Sequence, residues 1–381
     1  ARHQFPGRRL VRAVALVPLV LPPVVGGVAL LLAYGRRGIA GRWLESWFGV
    51  TLPFTTAGAV VAEAFVALPF VVRGEVDGIP EVAAAREYFL VLQDFELDAA
   101  GRPIEPGMSA SMLGREGSLL TVSGQRNPQY EIEQDGLIRL RFLNASASRF
   151  YRLRFEEHPM HVIATDGGAL AAPQSVDELL MAPGERRDVL IQGAREHGTY
   201  RLTSLPYDRG TTGMMGGGGN TAPVDVARFV YAGRDERRPQ IPRTLVSVAG
   251  LPASTAQRAF ELSDAMGMIP GRGMGMRFRI NKQEYSEARI DTQVRLGAVE
   301  EWEYRNATTM DHPMHIHTNS FQVVGTDGQA ERAWRDVVIV KARSAARIRI
   351  RFDDYAGLTV QHCHILDHED LGMMGTILIE Q

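Results

Sequence analysis

Six of the ten histidines in this chain fall between positions 312 and 368, and its one cysteine, Cys363, stands between two of them. These residues occupy two short segments, HPMHIH at 312–317 and HCHILDHEDLGMM at 362–374. Side chains alternate between the two faces of a β-strand, so parity sorts them into two sets. In the second segment His362 and His364 share a face and Cys363 points to the other. In the first, His315 and His317 share a face, with His312 in the opposite register. One set therefore contains His312 and Cys363, joined by His368 five residues on and Met373 five beyond that. Two imidazoles, a thiolate and a weak thioether are the donors of a blue (type 1) copper electron-transfer site. The other set, His315, His317, His362 and His364, is all imidazole and suits copper that binds and reduces oxygen. Peptide bonds from Cys363 to His362 and His364 offer electrons a through-bond path between the two. A lone cysteine is ordinarily a small buried hydrophobe, and a His-rich strand is often surface or a zinc site. Neither explains this alternation.

Strands must hold these residues, and from about Arg86 onward the chain reads as strands. Short alternating runs such as YFLVLQDFEL, GLIRLRFLN, YRLRF, RDVLIQ and ARIRIRF are separated by Gly, Pro, Asn and Asp turns. Many short strands at this spacing point to β-sandwiches. An internal repeat divides them. Asn144-Ala145, His158-Pro159-Met160-His161 and Thr165-Asp166-Gly167 are echoed by Asn306-Ala307, His312-Pro313-Met314-His315 and Thr326-Asp327-Gly328. Arg187-Asp188-Val189 returns as Arg335-Asp336-Val337. The repeat predicts two homologous domains, 86–232 and 241–381, joined by an exposed linker that includes Arg237, Arg238, Pro239 and Pro242.

The two histidine segments resemble the C-terminal copper signatures of a multicopper oxidase of the laccase-like or cuprous-oxidase-like kind. The resemblance implies a mainly β chain with two cupredoxin-like Greek-key sandwiches. Carried over by position, His312, Cys363, His368 and Met373 match type 1 ligands, His315 a type 2 ligand, and His317, His362 and His364 type 3 ligands. Asp367 takes the place of an acidic residue that helps deliver protons, while Trp334-Arg335-Asp336 and Glu301-Trp302 match as fold markers. The implied reaction is one-electron oxidation of phenols, aromatic amines or low-valent metal ions such as Cu(I), with O2 reduced to water. Electrons would enter at an exposed edge of His368 and leave through Cys363.

The departures from that family matter equally. Its oxidases use eight histidines around a trinuclear cluster, four of them from a further cupredoxin domain carrying two His-X-His motifs. No such motif precedes position 312, and His3 and His197 are isolated. His158 and His161 repeat the HPMH pattern, but residue 163 is Ile and no cysteine strand follows, so they resemble a relic without a complete copper site. Type 2 and type 3 copper is thus expected only if another domain or chain completes the cluster. The alternative is a type 1 copper electron-transfer or copper-binding protein without oxidase activity. Met214 and Met215, in a glycine-rich loop, and Met266, Met268, Met274 and Met276 resemble the Met-rich elements of cuprous oxidases, whose soft thioethers suit Cu(I).

Before position 80 the chain is different. Two apolar stretches, roughly 10–34 and 50–72, are each long enough to cross a bilayer and are bracketed by arginines. Residues 1–75 resemble a fragment of a molybdate-type ABC transporter permease, carried by the paired prolines Pro22-Pro23, the Gly35-Arg36-Arg37-Gly38 turn and Leu68-Pro69-Phe70 at the end of the second stretch. Two spans cannot build a translocation path, and the reading that follows is a transporter fragment joined in a chimeric frame. Residues 1–80 are accordingly expected to be helical, with membrane association or an extracytoplasmic location for the chain. A formal net charge of −2, with 23% charged residues, gives no basic excess for nucleic acid. Oligomerisation is compatible with all of this.

Overall fold

The computed structural model describes Ser46 and residues 75–104, 107–210, 222–269, 273–353 and 355–381. The two apolar stretches, the permease-like run apart from Ser46, and Met214-Met215 lie outside the described residues. Among the described residues no helix is long and apolar enough to cross a membrane.

The period-2 runs form strands, and the strands form two β-sandwiches. In the first, the strands are β1 (Arg86–Phe95), β2 (Leu119–Val122), β3 (Gln129–Gln134), β4 (Leu137–Asn144), β5 (Tyr151–Phe155) and β6 (Met160–Thr165). It continues with β7 (Gly168–Val176), β8 (Leu179–Met181), β9 (Arg186–Gln192), β10 (Thr199–Leu205) and β11 (Val224–Arg234). A six-stranded sheet ordered β2-β1-β4-β9-β6-β7 faces a five-stranded one ordered β3-β11-β10-β5-β8. Alternate residues such as Leu90 and Leu92 of β1, and Leu140 and Phe142 of β4, fill the space between them.

The second sandwich begins with β12 (Ala256–Ile269), β13 (Gly273–Ile280), β14 (Thr292–Arg295), β15 (Val299–Asn306) and β16 (His312–Ile316). It closes with β17 (Phe321–Val324), β18 (Val337–Val340), β19 (Ala345–Arg351), β20 (Gly357–Cys363) and β21 (Met374–Glu380). Its sheets run β13-β12-β15-β19-β17 and β14-β21-β20-β16-β18. The core between them holds Trp302, Tyr304, Ile348, Ile350 and Ile377, and also Met314, Cys363 and Met373. Burying each large apolar side chain there contributes about 1.5–3 kcal/mol, and the thiol and the thioethers are part of that packed core.

Among the described residues of 75–381 the α-helices are short: α1 (Pro80–Ala84), α2 (Met108–Leu113) and α3 (Leu366–Asp370). Residues 75–381 form one compact unit. The sandwiches are tied by hydrogen bonds from the Gly167 N–H and the Thr165 hydroxyl to the Trp334 carbonyl, at 2.8 and 2.6 Å. Trp334 thus marks the joint between sandwiches. Trp302 is wholly buried within the second, its indole N–H donating to Glu300.

Candidate metal centre

The register of β16 against β20 carries out the sorting that parity predicts. Met314 pairs with Cys363 on one face, and His315 pairs with His362 on the other. Pro313, which has no N–H to offer the ladder, accepts from the His364 N–H at 2.7 Å, holding the end of β20 in line. Chain reversal through α3 then brings His368 back over Cys363. The turn closes with Met373 N–H on the His368 carbonyl and Cys363 N–H on the Met373 carbonyl. Gly372 permits this: its φ is +113°, and a Cβ there would lie 2.7 Å from the Phe278 carbonyl.

Three donor atoms converge inside this turn. Nδ1 of His312 and Nδ1 of His368 are 3.3 Å apart, and lie 3.6 and 3.8 Å from the Cys363 Sγ. The far nitrogens are already committed. His368 Nε2 is 3.1 Å from the Met112 carbonyl, which can only accept, so that nitrogen carries the proton. His312 Nε2 meets Thr308 Oγ1 at 2.8 Å, and the Thr308 hydroxyl proton is drawn to Asn306 Oδ1 and the Met310 carbonyl. Both Nδ1 lone pairs therefore point at each other with no proton between them. A point roughly 2 Å from all three atoms exists, near the ~2.0–2.1 Å of metal–imidazole and ~2.3 Å of metal–thiolate bonds. The donor set fits a first-row metal ion. Burial pushes the His312 imidazolium down to about 3 and His368 well below its ordinary value, leaving both imidazoles neutral. Burial also raises the Cys363 thiol, so only a bound cation would make it a thiolate. Met373 is fully buried in the same core cluster.

The second set lies on the opposite face. His315, His317 and His362 offer nitrogens within 4.8 Å of one another, and the His364 ring stands 5.6 Å from both His315 and His362. His317 Nε2 and His362 Nε2 face each other at 3.0 Å. His362 Nδ1 donates to the Cys363 carbonyl at 3.0 Å and to Glu369 Oε2 at 3.2 Å, turning its other nitrogen inward. His315 Nδ1 donates to the Asp336 carbonyl at 2.8 Å. Burial holds His364 at about 3 and His317 well below the ordinary histidine value.

Several expectations change here. His368 has no exposed edge: it is fully buried, capped by Met112 of α2, with the Phe278 ring stacked on it at 3.9 Å. Asp367 does not face the second set. Arg115 binds it through its backbone N–H and its guanidinium, at 3.0–3.3 Å. The carboxylate standing on that set is Glu369. Burial opposes its charge, but the His362 hydrogen bond and the neighbouring histidines outweigh this and lower its pKa. Successive helical residues turn by about 100°, so two acids two places apart in α3 face opposite ways. That rule offered the one sequence signal for Glu369.

Other contributors come from the first sandwich and had no local signal. Gly184 lies against the His364 ring, where a Cβ would be 2.4 Å from Cδ2. Arg186 grips Asp336 with two bonds of 2.6 and 2.5 Å, steadying the residue that holds His315. His158, by contrast, is satisfied as a core histidine, with Tyr231 Oη and the Glu156 carbonyl both at 2.7 Å.

Residues 91–224 and 257–381 each match a family profile described as multicopper oxidase, together covering well over half of the chain. The chain is 27% identical over 275 residues to the multicopper oxidase mco of Staphylococcus haemolyticus, covering 70% of this chain and 53% of that protein. It is 29% identical over 317 residues to the cell division protein FtsP of Escherichia coli, covering 79% of this chain and 63% of that one. A solved multicopper oxidase from Campylobacter jejuni, a metallo-oxidase, superposes with a TM-score of 0.69 at 28% identity, covering 79% of this chain and 65% of that one. The protein belongs to the multicopper oxidase family. It spans between half and two-thirds of the length of these relatives.

Proposed function

We propose that this chain carries the electron-accepting copper site of an oxidase that takes electrons singly from a reduced donor and passes them to O2, yielding water. The observation that carries this reading is the convergence of two Nδ1 lone pairs and one thiol on a common point, one residue from a second imidazole set. His312, Cys363 and His368, with Met373 as the weak fourth donor, would hold type 1 copper. His315 would serve a type 2 ion, and His317, His362 and His364 type 3 ions, with the remaining ligands supplied from outside the described residues. Copper bound at the first set supplies a one-electron couple. Cys363 links the sets through its peptide bonds to His362 and His364. Glu369, rather than Asp367, is the carboxylate placed to hold a proton at His362 Nδ1.

A metal-ion donor is favoured over a phenol by the β12–β13 hairpin. Met266 is paired across it with Met276, and Met268 with Met274, so four thioethers share one face. Met266, Met268 and Met274 are exposed. β13 also bears Phe278, the ring stacked on His368. Soft sulfur donors suit Cu(I). In our reading the protein works outside the cytoplasm or at a membrane.

Copper loading of the purified chain tests the proposal. An intense visible thiolate-to-copper band is expected, with oxygen uptake driven by Cu(I) once the second set is complete. Replacing Met266, Met268 and Met274 by Leu should remove Cu(I) retention measured against a chromogenic chelator and leave the blue band unchanged. One copper per chain without oxygen uptake would instead support a copper electron-transfer protein. A folded chain with no blue band would leave a non-redox role, as the name of the FtsP relatives invites.

A further inference from the structure

Arg209 is a charged residue that neither the family match nor the ligand sets account for. It leaves the first sandwich after β10 and is 4% exposed. Its guanidinium donates to the Ser148 carbonyl at 2.7 Å and to the Gly114 carbonyl at 3.1 Å, and its Nε has no partner among the described residues. Glu116, 3.4 Å away, is its salt-bridge partner, and Glu116 also faces Arg149 at 3.6 Å.

These contacts set the residue against the first metal set on two sides. Its own carbonyl accepts from the N–H of Asp311, the residue before His312, at 2.8 Å. Gly114, which it clasps, ends α2, whose Met112 carbonyl fixes His368, and a Cβ at Gly114 would come 2.8 Å from Ile365, two residues after Cys363. The guanidinium is thereby held at the end of α2, two residues from the carbonyl that fixes His368. Taking a guanidinium out of water costs several kcal/mol before its partners offset it.

We propose that Arg209 is a positioning and tuning residue whose fixed charge raises the reduction potential of copper held by His312, Cys363 and His368. Oxidised copper carries one more positive charge than reduced copper. A buried cation nearby, little screened by water, therefore disfavours the oxidised state, and Glu116 moderates the effect. This inference rests on the copper reading above.

The test is spectroelectrochemical titration of the blue band in the full copper-loaded chain and three variants. Arg209→Met is expected to lower the midpoint potential. Arg209→Lys, which keeps the charge, should stay nearer the parent value, and Glu116→Gln should shift the potential upward. Loss of packing alone gives no reason for opposite signs. A fall in Arg209→Met with a rise in Glu116→Gln supports the proposal; shifts of one sign, or none, overturn it. Should Arg209→Met fail to fold, the sign for Glu116→Gln decides alone. If the parent chain shows no blue band, it is the copper reading that fails.

Discussion

His312 shows how much one side chain depends on its far nitrogen. Its Nδ1 is free to bind because Nε2–H is spent on Thr308, whose own hydroxyl proton is drawn elsewhere. Groups that orient a metal-bound histidine in this way typically cost 10–100-fold in metal affinity when removed. Thr308→Val is therefore expected to weaken copper binding by about 10–100-fold, read from a titration of the blue band. Buried histidines also tie stability to pH. Burial depresses His312, His317, His364 and His368 below the ordinary value near 6.5, so the unfolded chain binds more protons than the folded one as pH falls. Stability of the metal-free protein should be fully present above about pH 6.5. It should decline toward pH 3 by about 1.4 kcal/mol per pH unit for each histidine concerned. Thermal unfolding between pH 7 and 4 checks this, and an unchanged melting temperature over that range would contradict it.

Elements place these residues by two devices, a strand register and a tight reversal. The β16–β20 register follows from alternation, because a slip of one residue would exchange the two metal faces and put His315 and His362 into the core. The histidine and cysteine positions were legible in the sequence for that reason. The reversal through α3 was not: its path depends on Gly372 lying against the Phe278 carbonyl from another strand. Gly372→Ala meets both a positive φ and a backbone clash, and is expected to cost on the order of 1–3 kcal/mol. Urea unfolding measures that cost. The same variant should broaden or lose the blue band, since Met373 and His368 flank the bend.

At the scale of the whole molecule, the second sandwich carries the candidate ligands and the first supports them. Arg186 and Asp336 form the clearest bond between them, largely shielded from water. Breaking such a pair strands a charge, so Arg186→Met is expected to destabilise the chain by about 3 kcal/mol. Calorimetry on the variant and parent measures this, and metal binding at the second set should weaken with it. By itself the sequence determined the donor types, their division into two sets and the sandwich class, because strand parity and turn residues act over a few neighbouring positions. Only the tertiary structure decided that His368 is roofed, that Glu369 stands on His362 while Asp367 is held by Arg115, and that Gly184, Arg186 and Arg209 complete the surroundings. Those outcomes depend on contacts such as Met112 with His368, 256 residues apart, and Arg186 with Asp336, 150 apart. Packing of the two sandwiches creates these two contacts, and no local pattern encodes them.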